Sequence, residues 1–117
     1  MHPNTRAAVA YIVSALANGK TSAGVFDYAQ CKPYLFSGSV TRSHISVLDL
    51  DRLCQISGQC DRLYDQGRKA FISLSLGNNH FTGYDLNDSI QFCGDVNDHT
   101  VTFNELGVAA RFSFRVF

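Results

Sequence analysis

One feature constrains this chain above all others: a unit of about twenty residues that recurs along it. A short apolar-plus-acid signature appears five times, as Val25-Phe26-Asp27, Val47-Leu48-Asp49, Leu63-Tyr64-Asp65, Gly83-Tyr84-Asp85 and Phe103-Asn104-Glu105. The acids are spaced 22, 16, 20 and 20 residues apart. Self-similarity at such a period means one supersecondary unit used repeatedly, and the fold must be a way of joining its copies.

The spacing within a repeat says what the unit is. Seven residues after an acid comes a large apolar residue, Ile56, Ile72, Phe92 or Phe112, and Phe36 matches if the first repeat carries two extra residues. Alternate positions around them make one apolar face: Tyr34/Phe36/Gly38/Val40, Cys54/Ile56/Gly58/Cys60, Ala70/Ile72/Leu74/Leu76, Ile90/Phe92/Gly94/Val96 and Ala110/Phe112/Phe114/Val116. The residues between are mostly polar. This period of two is the mark of a half-buried strand. A second alternating run leads into the next acid, as at Ile45 and Val47, Phe81, and Val101 and Phe103. Turn formers separate the two runs at Thr41-Arg42-Ser43, Gly77-Asn78-Asn79 and Asn97-Asp98. Each repeat therefore reads as a β-hairpin, and residues 24–117 as five of them.

The expected fold is mainly β: an up-and-down antiparallel meander of about 9–10 strands curled into a barrel or bent sheet. The alternative is a β-solenoid with a helical cap. The acids favour the meander. Stacked in a solenoid they would lie one strand spacing apart, about 4.8 Å, and repel. In a meander they fall on alternate strands, at about twice that distance. Gly38, Gly58, Gly83 and Gly94 lie on the apolar face, where glycine marks a bend or the close approach of another backbone.

Residues 4–19 read as an amphipathic helix packed on the apolar face of the sheet, plugging the barrel or covering that face. Val9, Ile12, Val13 and Leu16 form its stripe, Asn4 is placed to cap it and Gly19 to end it. Ala7, Ala8, Ala10, Ala15 and Ala17 favour helix and keep it slim enough to lie close to another backbone. A rival reading takes the apolar run Ala7–Ala17, after Arg6 and ending in Ala15-Leu16-Ala17, as a secretory signal. That reading would make the protein secreted or periplasmic. The weakly basic start and the lack of a leucine cluster favour the structural helix and a cytoplasmic setting. A chain of 117 residues reads as a single domain, 1–117, with one core.

Lys plus Arg and Asp plus Glu are 10 each, so the formal net charge is zero. That removes the electrostatic footprint of nucleic-acid binding. No run of 18 apolar residues occurs, hence no membrane-spanning helix is expected.

Chemistry-bearing residues are few. Asp27, Asp49, Asp65, Asp85 and Glu105 end strands and open turns, where an aspartate caps backbone N–H groups two residues on. The competing reading is an acidic ring at one barrel mouth that holds a hard cation. His44, His80 and His99 gather toward the opposite end and are the metal candidates, with no supporting partner in the sequence. Cys31, Cys54, Cys60 and Cys93 permit two disulfides. A turn centred on Ser57 would make Cys54 and Cys60 cross-strand neighbours, while a cytosolic setting favours four reduced thiols. No nucleophile elbow, phosphate-binding glycine loop or zinc-protease motif is present, so the reading is non-enzymatic and without cofactor.

Two functions remain. The first is an interaction or scaffold module, with Leu48, Tyr64, Phe71 and Tyr84 as an exposed patch. The second is a barrel carrier of a small apolar ligand, held among Phe36, Ile72, Phe92, Phe103, Phe112 and Phe114.

Overall fold

The computed structural model describes residues 1–117. One helix, α1 (Pro3–Asn18), precedes ten strands. These are β1 (Gly24–Asp27), β2 (Lys32–Val40), β3 (Ile45–Asp49), β4 (Cys54–Gln59), β5 (Arg62–Asp65), β6 (Ala70–Gly77), β7 (His80–Asp85), β8 (Ile90–Asn97), β9 (Thr100–Glu105) and β10 (Ala110–Val116). Every consecutive pair is antiparallel, and β1 pairs antiparallel with β10, which closes the barrel. An even strand number is what lets a meander close this way, because first and last strands then run in opposite directions. Val25 stands opposite Val116 and Asp27 opposite Phe114 at the seam. Closure leaves no unpaired edge, and the solenoid alternative is excluded.

The two ends of the barrel differ because their turns differ. At one end each acid is followed by a four-residue turn whose last residue has a left-handed backbone: Cys31 (φ 53), Leu53 (φ 56), Lys69 (φ 54), Ser89 (φ 54) and Ala109 (φ 52). The residue after each acid donates its N–H across the sheet, Tyr28 to Ser113 O, Leu50 to Leu35 O, Gln66 to Gln55 O, Leu86 to Phe71 O and Leu106 to Gln91 O. One turn is thus repeated five times around the rim, and the bond from Tyr28 to Ser113 completes the circle. At the other end three turns are two residues long, at Cys60-Asp61, Asn78-Asn79 and Asp98-His99, and the β2–β3 turn spans residues 41–44. Cys54 to Gln59 is a continuous strand, so Ser57 is not a turn. Cys54 and Cys60 therefore follow one another along the same stretch of chain, and all four cysteines are free thiols.

The helix packs on the apolar face of the sheet as expected, and because the sheet closes, that face is the inside of the barrel. Asn4 to Ala15 are buried on every side, and α1 contacts β1, β2, β6, β8, β9 and β10. It runs inside the barrel. A helix with side chains is about 10–12 Å across, and Ala7, Ala8, Ala10 and Ala15, each nearly fully buried, bring it near the lower end of that range. The expected stripe residues Val9, Ile12 and Val13 lie in the common core, while Leu16, at the exit, is half-buried. The cap also differs from expectation. His2 is the N-cap, its Nδ1 accepting the Asn4 N–H at 3.2 Å, while Asn4 turns its amide to Asp51. Gly19 ends the helix as expected, with φ 73 and its N–H on Ala15 O.

The inward glycines make room for the wall, not for the helix. A Cβ on Gly94 would meet Thr102 O and the Phe81 ring, and one on Gly83 would meet the Phe92 ring and Ser73 O. Phe81, Phe92 and Phe103 cluster there, with Phe92 and Phe103 stacked at 4.9 Å.

Candidate functional site

Three regions carry polar or exposed chemistry: the acid mouth, the opposite mouth and the outer wall. At the acid mouth Asp27, Asp49, Asp65 and Asp85 have no exposed surface. One oxygen of each accepts two turn N–H groups, from residues two and three further on, as at Ala29 (2.8 Å) and Gln30 (3.2 Å) for Asp27. The second oxygen of Asp49, Asp65 and Asp85 meets an arginine, while Asp27 Oδ2 is buried without a hydrogen-bond partner. Arg52 bonds Asp49 (2.7 Å) and Asp65 (3.1 Å), and Arg68 bonds Asp85 (3.3 Å) and Asp88 (2.8 Å). From inside, Arg6 on α1 reaches Glu105 at 3.2 Å and lies 3.6 Å over the Phe112 ring. Glu105 makes no turn cap; its longer side chain goes to the helix instead. The capping reading therefore holds for the four aspartates. The cation-ring reading does not: no group of three or more potential ligands converges there, and arginine side chains meet Asp49, Asp65, Asp85 and Glu105. The ring is a fastening between helix and wall.

Sequence reasoning overlooked these arginines. Arg52 and Arg68 each stand three residues after an acid of the repeat, a position the signature had stopped short of.

The outer wall of β5–β8 is the candidate site. Alternation turns Tyr64, Phe71, Ser73, Ser75 and Tyr84 outward while Leu63, Ile72 and Leu74 point into the core. Tyr64 and Phe71 are cross-strand partners with ring centroids 4.8 Å apart, and the Arg62 guanidinium lies 4.9 Å over Phe71. Tyr84 stands across from Ser73 and Gln91. Two open grooves of about 310 and 340 Å³ meet at Ser73, one lined by Arg62, Phe71 and Leu86, the other by Tyr84, Gln91 and Leu106. Leu86 and Leu106 are each 54% exposed. They occupy the position just after the acid, as do Tyr28 and Leu50, and extending the repeat by one residue would have revealed them. Leu48 does not join the patch. It faces Ser37 and Gln55, and β4 separates it from Tyr64.

The expected ligand-binding set lies together inside. Phe36, Ile72, Phe92, Phe103 and Phe114 are buried in one core with α1, and Phe112 packs beside it under Arg6. His44, His80 and His99 sit at exposed positions at the end opposite the acids. His80 Nδ1 is 2.9 Å from Asp95 Oδ1 and His99 Nε2 is 3.8 Å from Asp98 Oδ1, and the three do not form a ligand cluster. Burial pushes the Cys54 and Cys60 thiols up from their ordinary range, which favours the uncharged form. No helix is long and apolar enough to cross a membrane. Compared with known proteins, the chain matches no family model, no curated protein and no solved structure.

Proposed function

We propose that this chain is a non-enzymatic interaction module that offers the outer wall of β5–β8 to a protein partner. The observation that carries the reading is the Tyr64–Phe71 ring pair under Arg62, set beside the two grooves that meet at Ser73. Aromatic and arginine side chains next to concave, partly polar surface are the residue types that dominate binding energy at protein interfaces. The closed barrel rules out strand addition as the docking mode, since no edge is free. Docking must go through side chains.

The filled lumen supports the same reading. Where a carrier would hold an apolar molecule among Phe36, Phe92, Phe103 and Phe114, this protein has α1. The four free thiols support a reducing, cytosolic setting.

The test pairs two measurements. Affinity capture with the wild type and with Phe71→Glu and Tyr84→Glu should retain a partner that both variants lose at unchanged thermal stability. Native mass spectrometry of the purified protein should give the bare chain mass. An extra mass that disappears on denaturation would transfer the assignment to the carrier reading, and equal capture by the variants would remove the outer wall from it.

A further inference from the structure

The shortest repeat of the chain builds a notch in the rim opposite the acids. The step from Asp49 to Asp65 is 16 residues, where the two steps that follow are 20 each. The missing residues come out of one hairpin: β4 has 6 residues and β5 has 4, against 8 in β6. Cys60 O accepts the Leu74 N–H at 2.7 Å, so the β4–β5 turn ends level with Leu74. β6 runs on from there to Gly77, about 10 Å further at the rise of a strand. A groove of about 480 Å³ opens over the lowered turn, with Arg42, Cys60, Asp61 and Leu76 in its lining. It shares Asp61 and Ser73 with the groove at Phe71 and Leu86, and Ser73 and Ser75 with the groove at Tyr84. The three grooves make one continuous surface.

The charged groups of this surface are few and fixed in place. The Arg62 guanidinium is held 4.9 Å over the Phe71 ring. Arg42 reaches over from the β2–β3 turn and donates to Leu76 O at 3.4 Å. Neither has a carboxylate within salt-bridge distance, whereas Arg6, Arg52 and Arg68 at the other mouth are all paired. Asp61 is the acid in the lining. Two guanidinium groups against one carboxylate leave one positive charge. Cys60 adds none, because burial keeps its thiol uncharged. Stacking on Phe71 fixes the plane of Arg62 and leaves its N–H edges open, so less side-chain entropy is lost when they are engaged.

With the outer-wall reading as its premise, this charge pattern names a class of partner: we propose that the β5–β8 wall docks a peptide segment carrying an acidic side chain next to a large apolar one. Arg62 receives the carboxylate, with Arg42 as the second cation, and Phe71 and Leu86 receive the apolar side chain. The Leu86 N–H donates to Phe71 O at 3.0 Å, which sets these two residues side by side, 54% and 38% exposed. A carboxylate brings one negative charge and a planar edge that a guanidinium meets with two parallel N–H donors. That balances the surface. A phosphomonoester, with up to about two negative charges, would leave charge unmatched beside Asp61.

The probe is a phage-displayed library of random peptides panned on the intact protein, with the strongest binders synthesised for titration. Expected are sequences that share Asp or Glu beside Leu, Ile or Phe. Arg62→Gln should weaken their binding about fivefold or more, as for an arginine anchor at an interface. Changing the peptide's acid to its amide should cost the wild type the same factor and cost Arg62→Gln nothing, which assigns the two groups to each other. Phe71→Ala should weaken the same peptides. Arg62 points away from the core, so its loss should leave the melting temperature unchanged. Binders that Phe71→Ala weakens but that lack an acid, or whose acid is not felt by Arg62, would overturn the acidic preference and leave the wall as a docking surface. Binders indifferent to both variants, or no enrichment at all, would overturn the wall reading with it.

Discussion

Thr5 Oγ1 donates to Asp65 Oδ2 at 2.7 Å, across sixty residues of sequence, and neither residue has exposed surface. This bond joins the inside of the helix to the rim of the barrel. It also explains why a polar residue tolerates full burial: its hydroxyl finds a charged acceptor in a region where water is excluded.

Thr5→Val removes that donor while conserving shape. The carboxylate keeps its two turn N–H groups and Arg52, so it loses one bond of four. The expected loss is about 1.5–3 kcal/mol, the worth of a hydrogen bond to a charged group. Urea unfolding should show it as a lower midpoint at unchanged slope, with Thr5→Ser close to wild type.

Asp85 separates capping from charge. Asp85→Ala removes the acceptor for Asn87 and Asp88 N–H and also leaves Arg68 with one partner fewer. Removing one member of a buried pair costs about 3–5 kcal/mol, and the half-exposed rim around Asp88 lowers that, so a loss of about 3 kcal/mol is expected. Asp85→Asn keeps the cap acceptor and should cost less. Equal melting temperatures for the two variants would mean that Arg68, not the turn, carries the stabilisation.

Gly94 and Gly77 make a matched pair. Gly94→Ala drives a methyl into Thr102 O and the Phe81 ring, whereas a methyl on Gly77 meets nothing within 4 Å. Overpacking of this kind costs about 1–3 kcal/mol. Gly77→Ala should be neutral or stabilise by up to about 1 kcal/mol through the unfolded chain. Thermal melts of both variants give the comparison directly.

His2 confers a pH dependence. Burial, then the nearby Arg52 and Arg68, hold its imidazole below its ordinary value of 6.5, against a smaller opposing pull from Asp65. The folded state thus binds this proton less readily than the unfolded state does. Stability is complete above about 6.5 and declines as pH falls from there through the lowered folded value. The proton also destroys the acceptor that caps Asn4 N–H. Melting temperature should fall on acidification in this window, and His2→Asn, an uncharged cap, should flatten the slope. An unchanged slope in that variant would assign the dependence to another group.

Legibility followed the range of the interactions. Strand positions such as Ala70–Gly77 were readable because alternation of Ile72 and Leu74 with Phe71 and Ser73 is a local pattern. The aspartate caps were readable because an Asx turn spans three residues. Arg52 and Arg68 were not, because a surface arginine and an arginine that closes a ring onto the next hairpin look alike in one dimension. The patch was half-legible: Tyr64, Phe71 and Tyr84 alternate outward as expected, but Leu48 was set apart by β4, and Leu86 and Leu106 joined from the turns.

By itself the chain determined the number of hairpins, the turns that join them and the presence of one small-residue helix, because each depends on side chains within a few residues of one another. Only the tertiary structure decided that Val25 meets Val116 to close the barrel, and that α1 fills it. Closure depends on register accumulated over ten strands. A helix bearing Ala7, Ala8, Ala10 and Ala15 is equally fit to cover a wall or to pass through a lumen until the diameter of that lumen is set. Once the barrel closes at ten strands, the interior is wider than side chains alone can fill, and burying the helix whole removes the most apolar surface from water.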